Sequence, residues 1–246
     1  MRKKILNGSI FDFPSLLHPT TENESKARWI LLLTPILLTI WVYFGKRFNF
    51  NQYFTSSGGL PEDAAAAIFE YLAFFLLMFC VPALLIKLIW KQPLSTYGLQ
   101  WGEWRTGLKI VALVLPFMLL GAYLGALDPA MQAEYPLTKT MMQSVPLFIS
   151  IELFYLVYYF AWEFFFRGFL QAGMQKVYGP VMAILIQTVP SAIVHFGKPF
   201  AECFSAIFAG LVFGYAAWRT RSIFYPMLLH AVVGIGTDLI ITLLLK

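Results

Sequence analysis

The chain has 246 residues, of which 59% are hydrophobic and 17% aromatic, while only 13% are Asp, Glu, Lys or Arg. A soluble domain carries about 25% charged residues, so that class is excluded. The net charge of +5 then speaks for basic loops against anionic lipid, and no nucleic-acid partner is expected. Apolar runs of about 18 residues or more recur, each long enough to cross the ~30 Å hydrocarbon core. The expected fold is all-α: one polytopic transmembrane helical bundle of about seven spans, eight if a re-entrant piece is added.

Residues 1–28 read as a cytoplasmic N-terminal tail with Arg2, Lys3, Lys4, Lys26 and Arg28, an aromatic patch at Phe11 and Phe13, and a solvated His18. Asn7-Gly8-Ser9 and Asn23-Glu24-Ser25 match a glycosylation triplet that has no meaning on such a tail. Residues 29–145 read as N-terminal transmembrane helices, with spans at 29–43, 65–90 and 107–127. Gly58-Gly59 and Pro61-Glu62-Asp63 supply a turn and a helix start between the first two. Glu70 reads as interfacial. Cys80 and Cys203 lie in apolar segments and imply no disulfide.

Residues 146–246 form a C-terminal transmembrane core, where polar residues gather. A helix from Pro146 carries Glu152, Glu163 and Arg167 and runs to a turn at Gly179-Pro180. The next holds Gln187, Pro190 and His195 and breaks at Gly197-Lys198-Pro199. Glu202 opens the sixth span, and the seventh carries His230 and Asp238. Thirteen lysines and arginines fall on one side of this topology and five on the other, which sets the N-terminus in the cytoplasm and the C-terminus outside.

Each charge at the centre of a bilayer costs about 2.5–3.5 kcal/mol. Glu163 and Arg167, at i and i+4, share a helix face and can pair; such a pair can also serve only to lock helices together. Glu163 lies sixteen residues before Gly179 and His195 sixteen after it. If the turn is the tip of an antiparallel pair, both sit about 24 Å from it. His230 enters from the Arg221 turn on the same side. The three should therefore face a common polar cavity on the cytoplasmic side. Phe164, Phe165 and Phe166 read as packing and lipid contact, and Glu152 as a polar residue of the outer leaflet.

These residues resemble the CAAX-processing and bacteriocin-processing (CPBP, or Abi) intramembrane endopeptidases. That family is marked by Glu-Glu-x-x-x-Arg, then Phe-x-x-x-His, then His-x-x-x-Asn. Glu163, Arg167 and Gly168 match the first motif, His195 the second and His230 the third, over residues 146–246. Trp162 stands in place of the first glutamate, Ser191 of the aromatic, and Gly234 of the asparagine. The resemblance implies cleavage of a membrane-anchored or lipid-associated peptide by water activated by Glu163 and His195, with His230 steadying the oxyanion. Glu202 is a candidate replacement for the missing carboxylate, and Asp238 a weaker one for the asparagine.

Two histidines and a carboxylate (His195, His230, Glu163) also suit a catalytic zinc shell. There is no His-Glu-x-x-His, and the resemblance implies a metal-independent mechanism, so no cofactor is expected and zinc stays open. The expected setting is a bacterial cytoplasmic membrane, with the bilayer and a membrane-associated peptide or protein as partners. Two other readings stay open. An impaired relative would act as a membrane binding or immunity protein. A proton-coupled transporter is less favoured, because no pair of repeat-like broken helices is present.

Overall fold

The computed structural model describes residues 21–54 and 59–245. The basic N-terminus, the aromatic patch, His18, Gly58 and Lys246 lie outside the described residues. Among the described residues, six helical stretches are long and apolar enough to span a bilayer: α1 (Glu22–Gly45), α2 (Glu62–Ile89), α3 (Trp104–Ala126), one long stretch (Val145–Ile193), α6 (Phe200–Thr220) and α7 (Phe224–Leu244). The long stretch comprises α4 (Val145–Glu163), a π-helical continuation (Phe164–Ala172) and α5 (Gly173–Ile193). Within α5 the helix breaks at Gly179, whose φ of 75° and ψ of 168° suit a residue without Cβ. The Trp162 and His195 rings, on either side of this break, meet at 5.2 Å between centroids, so the chain reverses there. The protein is thus an all-α polytopic bundle in which six stretches make seven limbs.

The first helix begins earlier than expected. Thr21 caps it by accepting the Glu24 N–H at 3.2 Å, so Lys26 and Arg28 lie inside its first turns rather than in a tail. At the start of α4, Ser144 is the N-cap and Pro146 sits in the first turn, where its missing N–H costs nothing.

The centre of the bundle is the C-terminal end of α4 and its π-helical continuation, against which α1, α2, α5 and α6 pack. Phe164, Phe165, Phe166 and Phe169 are all fully buried there. This run therefore faces protein throughout, and the lipid contact expected of it is absent. The exposed apolar surface is made instead by outer faces such as Leu113, Phe117 and Leu120 of α3. Gly168 lets the 94–97 turn approach closely: a Cβ there would lie 2.6 Å from the Tyr97 carbonyl oxygen. α5 and α6 approach through Gly210 and Gly214, whose carbonyls accept hydrogen bonds at 2.8 Å from Gln187 and Gln171 respectively. Small residues and side-chain amides are the usual means of joining helices in lipid, where apolar burial offers no net drive.

Candidate functional site

Glu163 is the last residue of α4 before its helix widens into the π-helical stretch, and Arg167 lies within that stretch. Such widened turns recur at functional sites. Glu163 Oε1 lies 2.7 Å from Nδ1 of His230 on α7. A carboxylate only accepts, so Nδ1 carries a hydrogen, and in the neutral imidazole the lone pair is on Nε2. Glu163 Oε2 lies 3.2 Å from Arg167 Nε, close enough for charge pairing but off the hydrogen-bond line. The guanidinium also lies 5.4 Å from the centre of the Phe213 ring, within cation–π range.

His195 arrives from the other side of the Gly179 reversal. It lies just beyond the end of α5 rather than within a helix, because the limb after Gly179 stops at Ile193. Its Nδ1 is 2.7 Å from the Ser191 carbonyl, which also fixes the hydrogen on Nδ1. Trp162 lies edge-on to both histidines, at 5.2 Å from the His195 ring and 6.0 Å from the His230 ring. Its indole stacks on Phe74 at 5.4 Å, so it is held in place. Where the resemblance leads one to look for a glutamate, an indole edge borders two imidazoles whose Nδ1 atoms are both engaged.

Both histidines, Trp162, Tyr159, Glu202 and Glu70 line one cavity of about 60 Å³. That volume holds only one or two waters. Glu163 and Arg167 do not line it, since Glu163 is wholly buried behind His230. The sequence reading had Glu163 face the cavity and activate water directly. The structure corrects this: the carboxylate reaches any water only through the imidazole. Glu202 does line the cavity and accepts the Tyr135 hydroxyl at 2.6 Å. Asp238 does not. It is buried farther along α7 and interacts with Glu152, which is itself buried rather than at a leaflet surface.

The cavity opens on the opposite face from the one expected. Its mouth is made by Lys46, Tyr135, Leu137 and Lys198, which lie beyond the ends of α1, α3 and α5, whereas Gly179 and Arg221 turn at the other face. The mouth is heavily charged. Glu134 pairs with Arg47 at 3.0 Å and with Lys198 at 2.6 Å, and Glu70 lies 3.5 Å from Lys46 and accepts the Arg47 N–H at 3.0 Å. Glu70 is therefore buried and paired rather than simply interfacial. Burial opposes ionisation of Glu134, but Lys198 and Arg47 outweigh it and hold its carboxyl below the usual range. Burial pushes Lys46 down and Tyr135 well up from their ordinary values.

Beside the mouth runs a groove of about 980 Å³ between α1 and α5, walled by Leu31, Leu38 and Val42 on one side and Ile186, Val189 and Ile193 on the other. It shares Lys46, Glu70 and Lys198 with the cavity. Sequence reasoning missed the tyrosines of α4. Tyr155, Tyr158 and Tyr159 line the cavity, and Tyr159 lies one turn before Glu163. Phenol tips recurring at i, i+3 and i+4 ahead of an intramembrane glutamate were the available signal.

A zinc shell would need the Glu163 oxygens and both imidazoles to converge. Glu163 instead bonds the inner nitrogen of His230, and no three His, Cys, Asp or Glu side chains gather to hold a metal among the described residues. Cys80 and Cys203 are free thiols.

Residues 143–235 match the family model of type II CAAX prenyl endopeptidase Rce1-like proteins. The matched segment carries Glu163, Arg167, His195, Glu202 and His230 and ends before Asp238. Comparison with curated proteins and with solved structures finds no match.

Proposed function

We propose that this chain, whose residues 143–235 are Rce1-like, is an intramembrane endopeptidase that cleaves a membrane-anchored peptide with water activated by histidine. The observation that carries this reading is that two imidazoles from distant parts of the chain each have Nδ1 engaged, one by Glu163 and one by the Ser191 carbonyl, and both rings border one small cavity. His230 is the base. Its Nε2 takes a proton from water as oxygen attacks the peptide carbonyl, and Glu163 stabilises the imidazolium that forms. His195, whose partner is neutral, holds the water by accepting its second hydrogen bond. The imidazolium then returns the proton to the leaving nitrogen. Glu163 is thus a positioning residue, Arg167 balances its charge in the bundle, and Glu202 with Tyr135 borders the substrate's approach.

The adjoining groove supports an apolar anchor on the substrate, held between α1 and α5 with the peptide reaching the charged mouth. The match to a family described by prenyl endopeptidases supports a lipid-modified C-terminal peptide as the first substrate to try. The excess of lysine and arginine on the Gly179 and Arg221 face supports a cytoplasmic location for that face. The mouth then opens to the outer side. Phe196→Cys, at an exposed position near the mouth, in a chain lacking Cys80 and Cys203, should react with an impermeant maleimide added to intact cells. Reaction only after lysis reverses the orientation.

The test of the reaction is cleavage of a prenylated reporter peptide by purified protein in liposomes, with and without chelator. Wild type should cleave in both conditions and His230→Ala in neither. A wild type that binds the reporter without cutting it supports the alternative, a binding or immunity protein. That alternative draws on one observation of its own: at the position where the resemblance places a glutamate, the indole of Trp162 packs against both imidazoles.

A further inference from the structure

The proposed reaction leaves one requirement unmet by the residues assigned so far. When water adds to a peptide carbonyl, the oxygen gains negative charge, and donors aimed at that oxygen supply much of the catalysis. His230 and His195 are engaged as acceptors, and Glu202 offers no donor when ionised. Trp162 packs among rings. Tyr159, whose ring packs against His230, carries a hydroxyl that could serve.

The Tyr159 ring is centred 4.6 Å from the His230 ring and borders the same cavity. Its position depends on Gly234. A Cβ built there would lie 1.7 Å from the Tyr159 hydroxyl oxygen and 2.5 Å from the carbon that bears it. The phenol therefore occupies the space in which any side chain at position 234 would begin. Gly234 lies one turn beyond His230 on α7, toward the end of that helix on the mouth's face. The ring is stacked on Tyr155 at 4.2 Å, so the hydroxyl is held rather than swinging. One helical turn along α4 from Tyr159, Glu163 grips the inner nitrogen of the same histidine. The two residues thus hold the base and a donor in one register.

We infer that the Tyr159 hydroxyl is a further catalytic group, the donor to the oxyanion, and that Gly234 is the position that admits it. This rests on the endopeptidase reading. In the step, water oxygen bonds to the carbonyl carbon and its proton passes to His230 Nε2. The carbonyl π pair moves to oxygen, which accepts the Tyr159 O–H as a hydrogen bond without taking its proton. Collapse restores the carbonyl, breaks the C–N bond, and sends the His230 proton to the amine.

The test uses the full chain in liposomes with the prenylated reporter. Tyr159→Phe keeps the ring and removes only the donor. Its kcat should fall about a hundredfold, the scale for losing one such donor, while KM stays within a few-fold. The same variant should lose inhibition by a prenylated peptide aldehyde, whose hydrate mimics the tetrahedral species, yet bind the uncleaved reporter like wild type. Gly234→Ala, which displaces the hydroxyl, should show the same split. Wild-type cleavage together with an unchanged kcat in Tyr159→Phe overturns the assignment and leaves the endopeptidase reading standing. So does a fall in kcat with aldehyde inhibition unchanged. A wild type that cleaves nothing overturns both.

Discussion

α4 carries two buried glutamates three turns apart, and they have become different things. Glu163 meets an imidazole on one oxygen and a guanidinium on the other, and the imidazole borders a cavity. Glu152, also buried, interacts with a second carboxyl, Asp238, and neither of the two lines the cavity. Both look alike as charges placed in hydrocarbon. The difference lies in the partner: a group that can take up a proton and also touch water turns burial into chemistry, whereas a like group on the facing helix only shares the cost of being buried.

The sharpest way to break this comparison is to neutralise each glutamate in turn. Glu163→Gln should lower cleavage by at least about a hundredfold, because an amide facing Nδ1 no longer fixes the tautomer or stabilises the imidazolium. Glu152→Gln, with no shared partner, should leave cleavage within about threefold. Equal losses in the reporter assay would erase the distinction.

The next effect concerns Arg167. Arg167→Lys keeps the charge but loses the planar group that lies between Glu163 and the Phe213 ring. Thermal unfolding in detergent should show a loss of about 2 kcal/mol, the scale for leaving a buried polar group poorly matched. An unchanged transition would make the pair incidental to the fold.

Glu202 tests whether bordering the cavity is enough to matter. Glu202→Gln retains an acceptor for the Tyr135 hydroxyl, so cleavage should fall by only about tenfold, short of the loss of a base. A fall matching that of Glu163→Gln would make Glu202 the carboxylate that replaces the one missing at Trp162.

The smallest effect lies at the mouth and sharpens the contrast between paired and unpaired acids. Lys198 and Arg47 hold the Glu134 carboxyl below its ordinary value of 4.5. Its stabilisation is therefore full above that value and is lost as pH falls through the lower, folded-state value. The pair is partly exposed and screened, so the change should be under about 1 kcal/mol. Melting at pH 7 and at about pH 3 should differ less in Glu134→Gln than in wild type. The same difference in both would remove Glu134 from the acid response.

Much of this was legible because hydrocarbon punishes charge. Apolar runs gave the limbs to within a few residues, and Gly179-Pro180 marked the reversal. Glu163, Arg167, His195 and His230 stood out as costly residues without a packing purpose, and the structure brings them within one group of contacts. The start of the first helix was misread because Lys26 and Arg28 look like a tail, yet Thr21 caps a helix that includes them. The phenylalanine run was misread because an apolar side chain looks the same whether it meets lipid or protein.

The amino-acid sequence by itself determined the membrane setting, the helical class, the order of the limbs and the identity of the costly polar residues, since each of these follows from local hydropathy and from glycine and proline placement. Only the tertiary structure decided what those residues face. That Glu163 lies behind His230 rather than beside water, that the cavity opens at Lys46 and Lys198, and that Tyr159 fills the space Gly234 leaves all depend on how helices far apart in sequence rotate and cross. Hydropathy carries no information on that rotation, because the inside of such a bundle is scarcely more apolar than the lipid around it.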